Sequence, residues 1–143
     1  MRSIPFLMGF AACVGVGGPT TDDSGAAVDD WQPVSYVDEG ELCFENQGVD
    51  VVVQVTAPDC LSSSCSRNLA GTCEGTLSGD TITLTSDIHW EDNVGEGVAC
   101  TDDCGAPTVS CTLPALADGT YVVVLGGVET ELVVPVVGSC GDR

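Results

Sequence analysis

The sequence contains no lysine, and its basic residues are limited to three arginines (Arg2, Arg67 and Arg143) and one histidine, His89. Against these stand 22 acidic residues, which gives a net charge of −19. Because residues 1–12 contain Arg2 and no acid, a chain without them would carry −20. Phosphate backbones repel such a surface, so the composition excludes nucleic acid as a partner. Anionic lipid headgroups repel it as well, so the protein surface alone cannot hold a membrane.

No apolar run in the chain reaches the roughly 20 residues that a membrane-spanning helix needs. Residues 1–12 instead have the features of an export signal: one positive charge, a stretch of apolar and small residues, and small residues before a cleavage point. The string Phe10-Ala11-Ala12-Cys13 resembles a bacterial lipobox, in which a lipoprotein signal peptidase cuts before a cysteine that carries lipid. The alternative is a general signal-peptidase cut after Ala11, which would yield a soluble secreted protein.

The number of cysteines decides between these two cleavage sites. Of nine cysteines, eight lie beyond Cys13, at Cys43, Cys60, Cys65, Cys73, Cys100, Cys104, Cys111 and Cys140. An even number suits four disulfide bonds, whereas secretion without lipid would leave Cys13 as an exposed free thiol. Lipidation converts that ninth sulfur into a thioether. We therefore expect Cys13 to be lipidated, and the chain to be held in the bacterial cell envelope by a lipid anchor.

The cysteines do not form the motifs of metal or redox chemistry. No Cys-x-x-Cys pair occurs, which excludes thioredoxin-type redox sites, zinc-ribbon knuckles and covalent haem attachment. A blue-copper site needs two histidines and usually a methionine, but His89 is alone and both methionines lie in residues 1–12. We therefore expect structural disulfides, no cofactor and no metal.

Candidate catalytic residues are few. Asp87, His89 and Glu91 alternate and would share one face of a strand, where they could bind a divalent ion or serve hydrolysis. A serine at 62–64 could complete a Ser-His-acid arrangement, but no nucleophile motif surrounds these serines. We interpret the face as solvated polar surface and expect no enzyme.

Two acidic loops, at 92–96 and 101–103, are candidate calcium ligands. Neither has the ligand spacing of an EF-hand, so we interpret both as solvated loops. The alternative function that these loops leave open is an accessory or hydrolytic enzyme with a calcium-binding loop.

From residue 31 onward the pattern is typical of β-strands. Apolar residues alternate with polar ones over 49–56 and over 81–91, which predicts half-buried strands. Further predicted strands cover 34–37, 41–44, 73–77, 109–113, 120–125 and 128–136. Gly126-Gly127 predicts a two-residue hairpin between the last two. The sequence therefore predicts an all-β fold, a small antiparallel β-sandwich of seven or eight strands within residues 31–143. Residues 13–30, rich in Gly, Thr and Asp, are predicted to form a disordered tether.

One local motif resembles the tyrosine corner of Greek-key sandwiches such as immunoglobulin-like and fibronectin type III domains. It is Leu116-Ala117-Asp118-Gly119-Thr120-Tyr121, in which Tyr121 would donate a hydrogen bond to backbone a few residues upstream. The resemblance implies an immunoglobulin-like order, with strands B, C, D and E at 49–56, 73–77, 81–90 and 109–113. The B–C and D–E loops then emerge at the same end of the sandwich.

That strand order makes the cysteine spacing interpretable. Six cysteines form two triplets, Cys60-Cys65-Cys73 and Cys100-Cys104-Cys111. Both triplets would lie at the end where the two loops emerge, whereas Cys43 and Cys140 would lie nearer the opposite end. We therefore predict a Cys43–Cys140 bond and expect the other three bonds to staple the two long loops. The pairing within the triplets stays open.

Taken whole, the chain is similar to cysteine-rich lipoproteins of myxobacterial type. The resemblance is carried by Cys13, the acidic Gly/Thr tether, the Cys60–Ser66 string, the Cys100–Cys104 loop and the Leu116–Tyr121 corner. It implies no assigned activity. We expect a lipid-anchored, non-catalytic binding or structural module, with the stapled loops as its binding surface and an envelope protein or a glycan as its partner.

Overall fold

The computed structural model describes residues 27–138 and residue 140, which form eight β-strands in two sheets. The strands are β1 (Trp31–Val37), β2 (Glu41–Gln47), β3 (Asp50–Thr56), β4 (Ser66–Ser78), β5 (Thr81–Asn93), β6 (Thr108–Cys111), β7 (Gly119–Leu125) and β8 (Val128–Val134). The described part of the chain has no helix that is long and apolar enough to cross a membrane. The predicted leader, Cys13 and most of the predicted tether lie outside the described residues.

The larger sheet is built around β5. Strand β4 pairs with β5 along most of its length, while β1 pairs with residues 87–93 of β5 and β7 with residues 81–83. Because a strand has only two edges, β1 and β7 share one edge of β5, and β8 lies beyond β7. The smaller sheet has the order β2-β3-β6 and is antiparallel.

This architecture confirms the predicted all-β, disulfide-stapled sandwich. It differs from a fully antiparallel arrangement at one place, because β5 and β7 are parallel over three residue pairs. The chain leaves β5 for β6 in the other sheet before it returns to β7, and such a crossover permits parallel pairing. Residues 81–90, labelled strand D in the immunoglobulin order, accordingly lie in the larger sheet beside β4 and β7.

The core lies between the two sheets, and the alternation along β5 determines what enters it. Ile82, Leu84, Ile88 and Trp90 are buried, while Thr83, Thr85, Asp87 and His89 between them are exposed. Valines of β3 and β7 and Leu132 of β8 face the same interior. Removal of this apolar surface from water is the main favourable contribution to the free energy of folding, at about 25 cal/mol per Å² of buried area.

Strands β4 and β6 approach each other where β4 carries glycine. Gly71, Cys73 and Gly75 occupy every second position of β4 and therefore share one face of the strand. Cys73 is the one residue of the three with a side chain. A Cβ added at Gly71 would lie 2.6 Å from Val109, and one at Gly75 would overlap Leu113. The two glycines therefore make room for the β6 side of the sandwich around Cys73.

A buried hydroxyl lies beside this contact. Ser86 of β5 pairs with Cys73 across the sheet and is 4% exposed, and its Oγ has no hydrogen-bond partner among the described residues. Because an unsatisfied buried polar group costs about 1–3 kcal/mol, we expect Ser86→Ala to raise the free energy of unfolding by about 1 kcal/mol in urea titrations. The control Thr85→Ala, on the exposed face, should change it by less than about 0.5 kcal/mol. A loss of stability in Ser86→Ala would mean that the hydroxyl has a partner.

The last residues of the predicted tether contact the domain. Asn93 is 7% exposed, and its Oδ1 accepts hydrogen bonds from the N–H groups of Asp30 (3.0 Å) and Gly95 (3.1 Å). Its Nδ2 donates to Asp29 Oδ1 at 2.7 Å. The N–H of Val28 donates to the carbonyl of Glu96 at 3.3 Å. Within the described residues, hydrogen bonds to the folded domain therefore include Val28 and Asp29, which precede the predicted boundary at 31.

The chain after β8 lies against the edge of β2. The N–H of Val136 donates to Asn46 Oδ1 at 3.2 Å, and Asn46 Nδ2 donates back to the carbonyl of Val136. Cys140 is disulfide-bonded to Cys43 of β2, which is the pair that the strand order predicts. Asn46 and this bond together fasten the C-terminal segment to the smaller sheet.

Candidate functional site: the stapled loops and the outer strand face

The loops at 57–65 and 94–107, called the stapled loops below, run antiparallel beside each other. Leu61 and Gly105 exchange two backbone hydrogen bonds of 2.9 Å, and the N–H of Ala57 donates to the carbonyl of Pro107 at 3.0 Å. Two disulfides cross between the loops, Cys60–Cys104 and Cys65–Cys100. The two loops therefore lie side by side, as the predicted strand order implies.

The third bond between the triplets corrects one expectation. Cys73 pairs with Cys111, and this bond joins strands β4 and β6 instead of the two loops. The two cysteines are 5% and 7% exposed, because the alternation of their strands points both side chains into the core. Two bonds, not three, staple the loops, and the third links the two sheets.

Polar side chains bond across the stapled loops between their two disulfides. Ser62 Oγ donates to the carbonyl of Thr101 at 3.1 Å, and the N–H of Thr101 donates to Ser64 Oγ at 2.9 Å. The N–H of Ser63 donates to both carboxylate oxygens of Asp103 at 3.2 Å. A hydrogen bond from the Thr101 hydroxyl, followed by those from Ser63, holds the pKa of Asp103 below its usual value. These serines therefore order the loops, and their side chains make no hydrogen bond to His89 within the described residues.

The outer face of β5 carries the predicted acid–histidine row. His89 Nδ1 lies 3.1 Å from Asp87 Oδ1, and both side chains are about half exposed. Glu91 shares this face but turns to Arg67 of β4, whose Nε donates to Glu91 Oε2 at 2.8 Å. No group of three or more His, Cys, Asp or Glu residues able to hold a metal ion occurs in the described part of the chain. The row supplies a histidine–carboxylate pair without a bonded nucleophile.

Arg67 connects this face to the first strand. Its guanidinium lies 3.8 Å from the centroid of the Trp31 ring, which is a cation–π contact, while it bonds Glu91 on its other side. The hydrogen bond from Arg67, followed by that from Asn68 at 2.6 Å, lowers the pKa of Glu91. The carboxylate is therefore neutralised by a fixed partner.

The acidic segment 92–96 uses its oxygens within the fold. Asp92 Oδ1 accepts hydrogen bonds from Ser66 Oγ at 2.6 Å and from Trp90 Nε1 at 2.9 Å. Asn93 Oδ1 holds two backbone N–H groups, as described above. These contacts give the two side chains structural roles within the fold and do not favour the alternative of a calcium-binding loop at 92–96.

Tyr121 lies at the start of β7, where the corner motif places it. Its hydroxyl donates to the carbonyl of Ala117 at 2.9 Å, and the residue is 8% exposed. This bond ties the segment before β7 to the strand itself, which is the role of a tyrosine corner.

Tyr36 and Asp59 form a contact that no sequence motif predicts. The Tyr36 ring stacks on Trp90 with centroids 5.7 Å apart, and its hydroxyl donates to Asp59 Oδ2 in the first stapled loop. The residues are 23 positions apart in the chain, and neither belongs to a motif. Only the alternation of β1, which directs Tyr36 inward, gives a signal for one of the two partners.

This contact predicts that the Tyr36 hydroxyl ionises at a higher pH than an ordinary tyrosine. The hydrogen bond to Asp59, then burial and the charges of Asp59, Glu39 and Asp92, raise the pKa of Tyr36 to about 12. Because the folded pKa lies above the unfolded value of about 10, the stabilisation is complete below about pH 10 and is lost as the pH rises towards 12. The ¹³C chemical shift of Tyr36 Cζ, followed against pH, should change with a midpoint near pH 12. In the Asp59→Asn variant the midpoint should lie at a lower pH. The control Glu39→Gln should shift it less, and an unchanged titration in Asp59→Asn would contradict the assignment.

No protein-family model matches this chain, and neither a curated protein nor a solved structure matches it. Fold and site together define it as an all-β, disulfide-stapled β-sandwich whose two long loops are cross-linked to each other.

Proposed function

We propose that this protein is a lipid-anchored, non-catalytic binding module of the bacterial cell envelope, attached through Cys13. One observation carries the anchor: the eight cysteines from Cys43 to Cys140 all pair with one another. Cys13 therefore has no cysteine left in the chain as a partner. Four disulfides belong to an oxidising compartment, where a free thiol is reactive and a lipid thioether is inert.

The binding role is supported by the way the loops are held. Function in β-sandwiches is commonly carried by loops on a rigid scaffold, and the stapled loops are fixed by two disulfides and by hydrogen bonds between residues 57–64 and 101–107. The same contacts occupy Ser62, Ser63, Ser64 and Asp103, which argues against hydrolysis. An envelope protein or a glycan is the partner we propose.

The anchor is tested by expressing the full chain in a Gram-negative host and measuring the intact mass of the mature protein. We expect an N-terminus at Cys13 with acyl chains, a precursor that accumulates under globomycin, and loss of membrane association in Cys13→Ser. Two control variants, Phe10→Leu and Thr20→Ala, should keep the lipid. Phe10→Leu restores the aliphatic residue that is usual at that position of a lipobox.

Two other results would support the alternatives. A mature N-terminus at Ala12 with an unmodified Cys13 would overturn the anchor and indicate a soluble secreted protein. A rise in melting temperature with added Ca²⁺, lost in Asp103→Asn but kept in Asp118→Asn, would favour the accessory or hydrolytic enzyme.

A further inference from the structure

Most outer edges of the two sheets are protected, in ways that natural sheets use against unwanted pairing. The N–H of Asp38, directly after β1, donates to the carbonyl of Ser86 in β5. Because such bonds recur at every second residue of an antiparallel pair, the even-numbered residues of β1 bond to β5 and the odd-numbered ones direct their N–H and C=O groups away from it. Pro33 is one of these, and it removes an N–H from that free edge. On the edge strand β2, the side chains of Asn46 and Cys43 bond to Val136 and Cys140, so the C-terminal segment lies beside that edge.

Two further edges are shortened or interrupted. Strand β4 contains a bulge between Arg67 and Ala70, and Thr112 exchanges backbone hydrogen bonds with it further along. Strand β6 spans four residues only. These features leave β8 as the long, regular edge in the described part of the chain, with seven residues that pair with β7 and no other strand.

The pairing of β8 with β7 shows which backbone groups face outward. The two-residue turn at Gly126-Gly127 makes Leu125 and Val128 a hydrogen-bonded pair, and such pairs recur at every second residue. Glu129, Glu131 and Val133 therefore direct their N–H and C=O groups away from β7. The N–H of Val122 donates to the carbonyl of Asp80 on the far side of β7, which agrees with this alternation.

A cavity of about 480 Å³ lies on the inner side of the β8 edge. Leu42, Leu125 and Val128 supply the apolar part of its lining, and three acidic residues, Asp38, Glu39 and Glu41, line it as well. An added strand would place alternate side chains on its two faces. One set would point towards this cavity, and the other would lie beside the glutamates of β8.

We propose that the β8 edge receives an extended segment of a partner protein in which apolar residues alternate with Lys or Arg. Strand addition would supply main-chain hydrogen bonds, and the cavity and the glutamates would select the side chains. The β8 edge carries Glu129 and Glu131. The basic residues in the described part of the chain lie on other strands, Arg67 on β4 and His89 on β5. Charge complementarity therefore points to a basic segment. A second copy fits poorly, since antiparallel pairing of two β8 strands centred on Glu131 would set like charges opposite each other.

This inference rests on the proposed role as a binding module, concerns the β8 edge and not the stapled loops, and is independent of the lipid. The probe is an end-blocked, seven-residue peptide of alternating Lys and Val, which matches the length of β8, titrated into the full chain in detergent and into full-chain Cys13→Ser. We expect saturable binding to both, weakened by added salt, with slowed amide exchange at Glu129, Glu131 and Val133. The corresponding Glu–Val peptide should not bind.

Proline substitutions supply the matched variants. Glu131→Pro removes an outward N–H without breaking the β7 ladder, and Ser35→Pro makes the same change on the edge of β1. We expect Glu131→Pro to weaken binding of the Lys–Val peptide about tenfold or more, and Ser35→Pro to leave it unchanged. Melting temperatures of both variants check that they fold. Equal losses in the two variants, or no binding of the Lys–Val peptide to a folded full chain, would overturn the proposal.

The remaining occupant is a second copy of the chain, and sedimentation of the full chain tests it. A dimer that Glu131→Pro abolishes and Ser35→Pro preserves would assign the edge to self-association and overturn the partner segment. A failure of the lipid test alone would leave the peptide results intact, because these are measured with and without Cys13.

Discussion

Replacing Cys43 and Cys140 together by alanine is expected to lower the free energy of unfolding by about 4 kcal/mol. With the other three bonds in place, this bond closes a loop formed by residues 43–60 and 104–140, which is longer than the loop that any of them closes. A disulfide acts chiefly by restricting the unfolded chain, and the restriction grows with the length of the loop that it closes. The free energy of unfolding of a small domain is about 5–15 kcal/mol in total, so this single bond accounts for a large share of it.

The matched control is the double variant Cys60→Ala, Cys104→Ala. Because Cys65–Cys100 stays in place, the Cys60–Cys104 bond closes only the short loop formed by residues 60–65 and 100–104. The dependence of disulfide stabilisation on loop length then predicts that the free energy of unfolding falls by about 2–3 kcal/mol. Urea unfolding under non-reducing conditions, followed by tryptophan fluorescence, measures both. An equal or larger loss at 60 and 104 would contradict the loop-length argument and point to strain or local packing.

The parts of the fold that could be predicted are those with a regular face. Strand β5 was predictable because its buried residues alternate with threonines and acids, and the turn at Gly126-Gly127 because only glycine adopts its positive φ values without cost. The first half of β4, from Ser66 to Thr72, has no such alternation and was missed. It becomes a strand because the opposite edge of β5 supplies its hydrogen bonds. The parallel pairing of β5 with β7 depends on which sheet receives β6, and no local pattern encodes that.

The candidate site shows the same division. Cysteine parity and strand order predicted the Cys43–Cys140 pair and the juxtaposed loops, but not that Cys73–Cys111 would join the two sheets. The signal for the latter was local: glycines at 71 and 75 flank Cys73 on the same face and leave room for another strand. The contact between Tyr36 and Asp59 had no such signal, because it depends on where a loop folds back over a strand.

Truncation of Trp90 is expected to cost about 3–5 kcal/mol in Trp90→Ala, among the largest effects of any single substitution in this chain. Trp90 is 2% exposed, stacks on Tyr36 and donates its Nε1 hydrogen to Asp92 at 2.9 Å. The substitution removes apolar contacts, opens a cavity between the sheets and deprives the Asp92 carboxylate of a donor. Urea unfolding followed by far-UV circular dichroism measures the loss without relying on tryptophan emission.

Two companion variants separate the causes. Trp90→Phe keeps most of the ring and loses the donor, and since Ser66 still bonds Asp92 we expect a loss of about 1–2 kcal/mol. Trp31→Ala removes the other tryptophan, which lies at the start of the edge strand β1 beneath Arg67, and should cost about 1 kcal/mol or less. A loss in Trp31→Ala as large as that in Trp90→Ala would place Trp31 in the core.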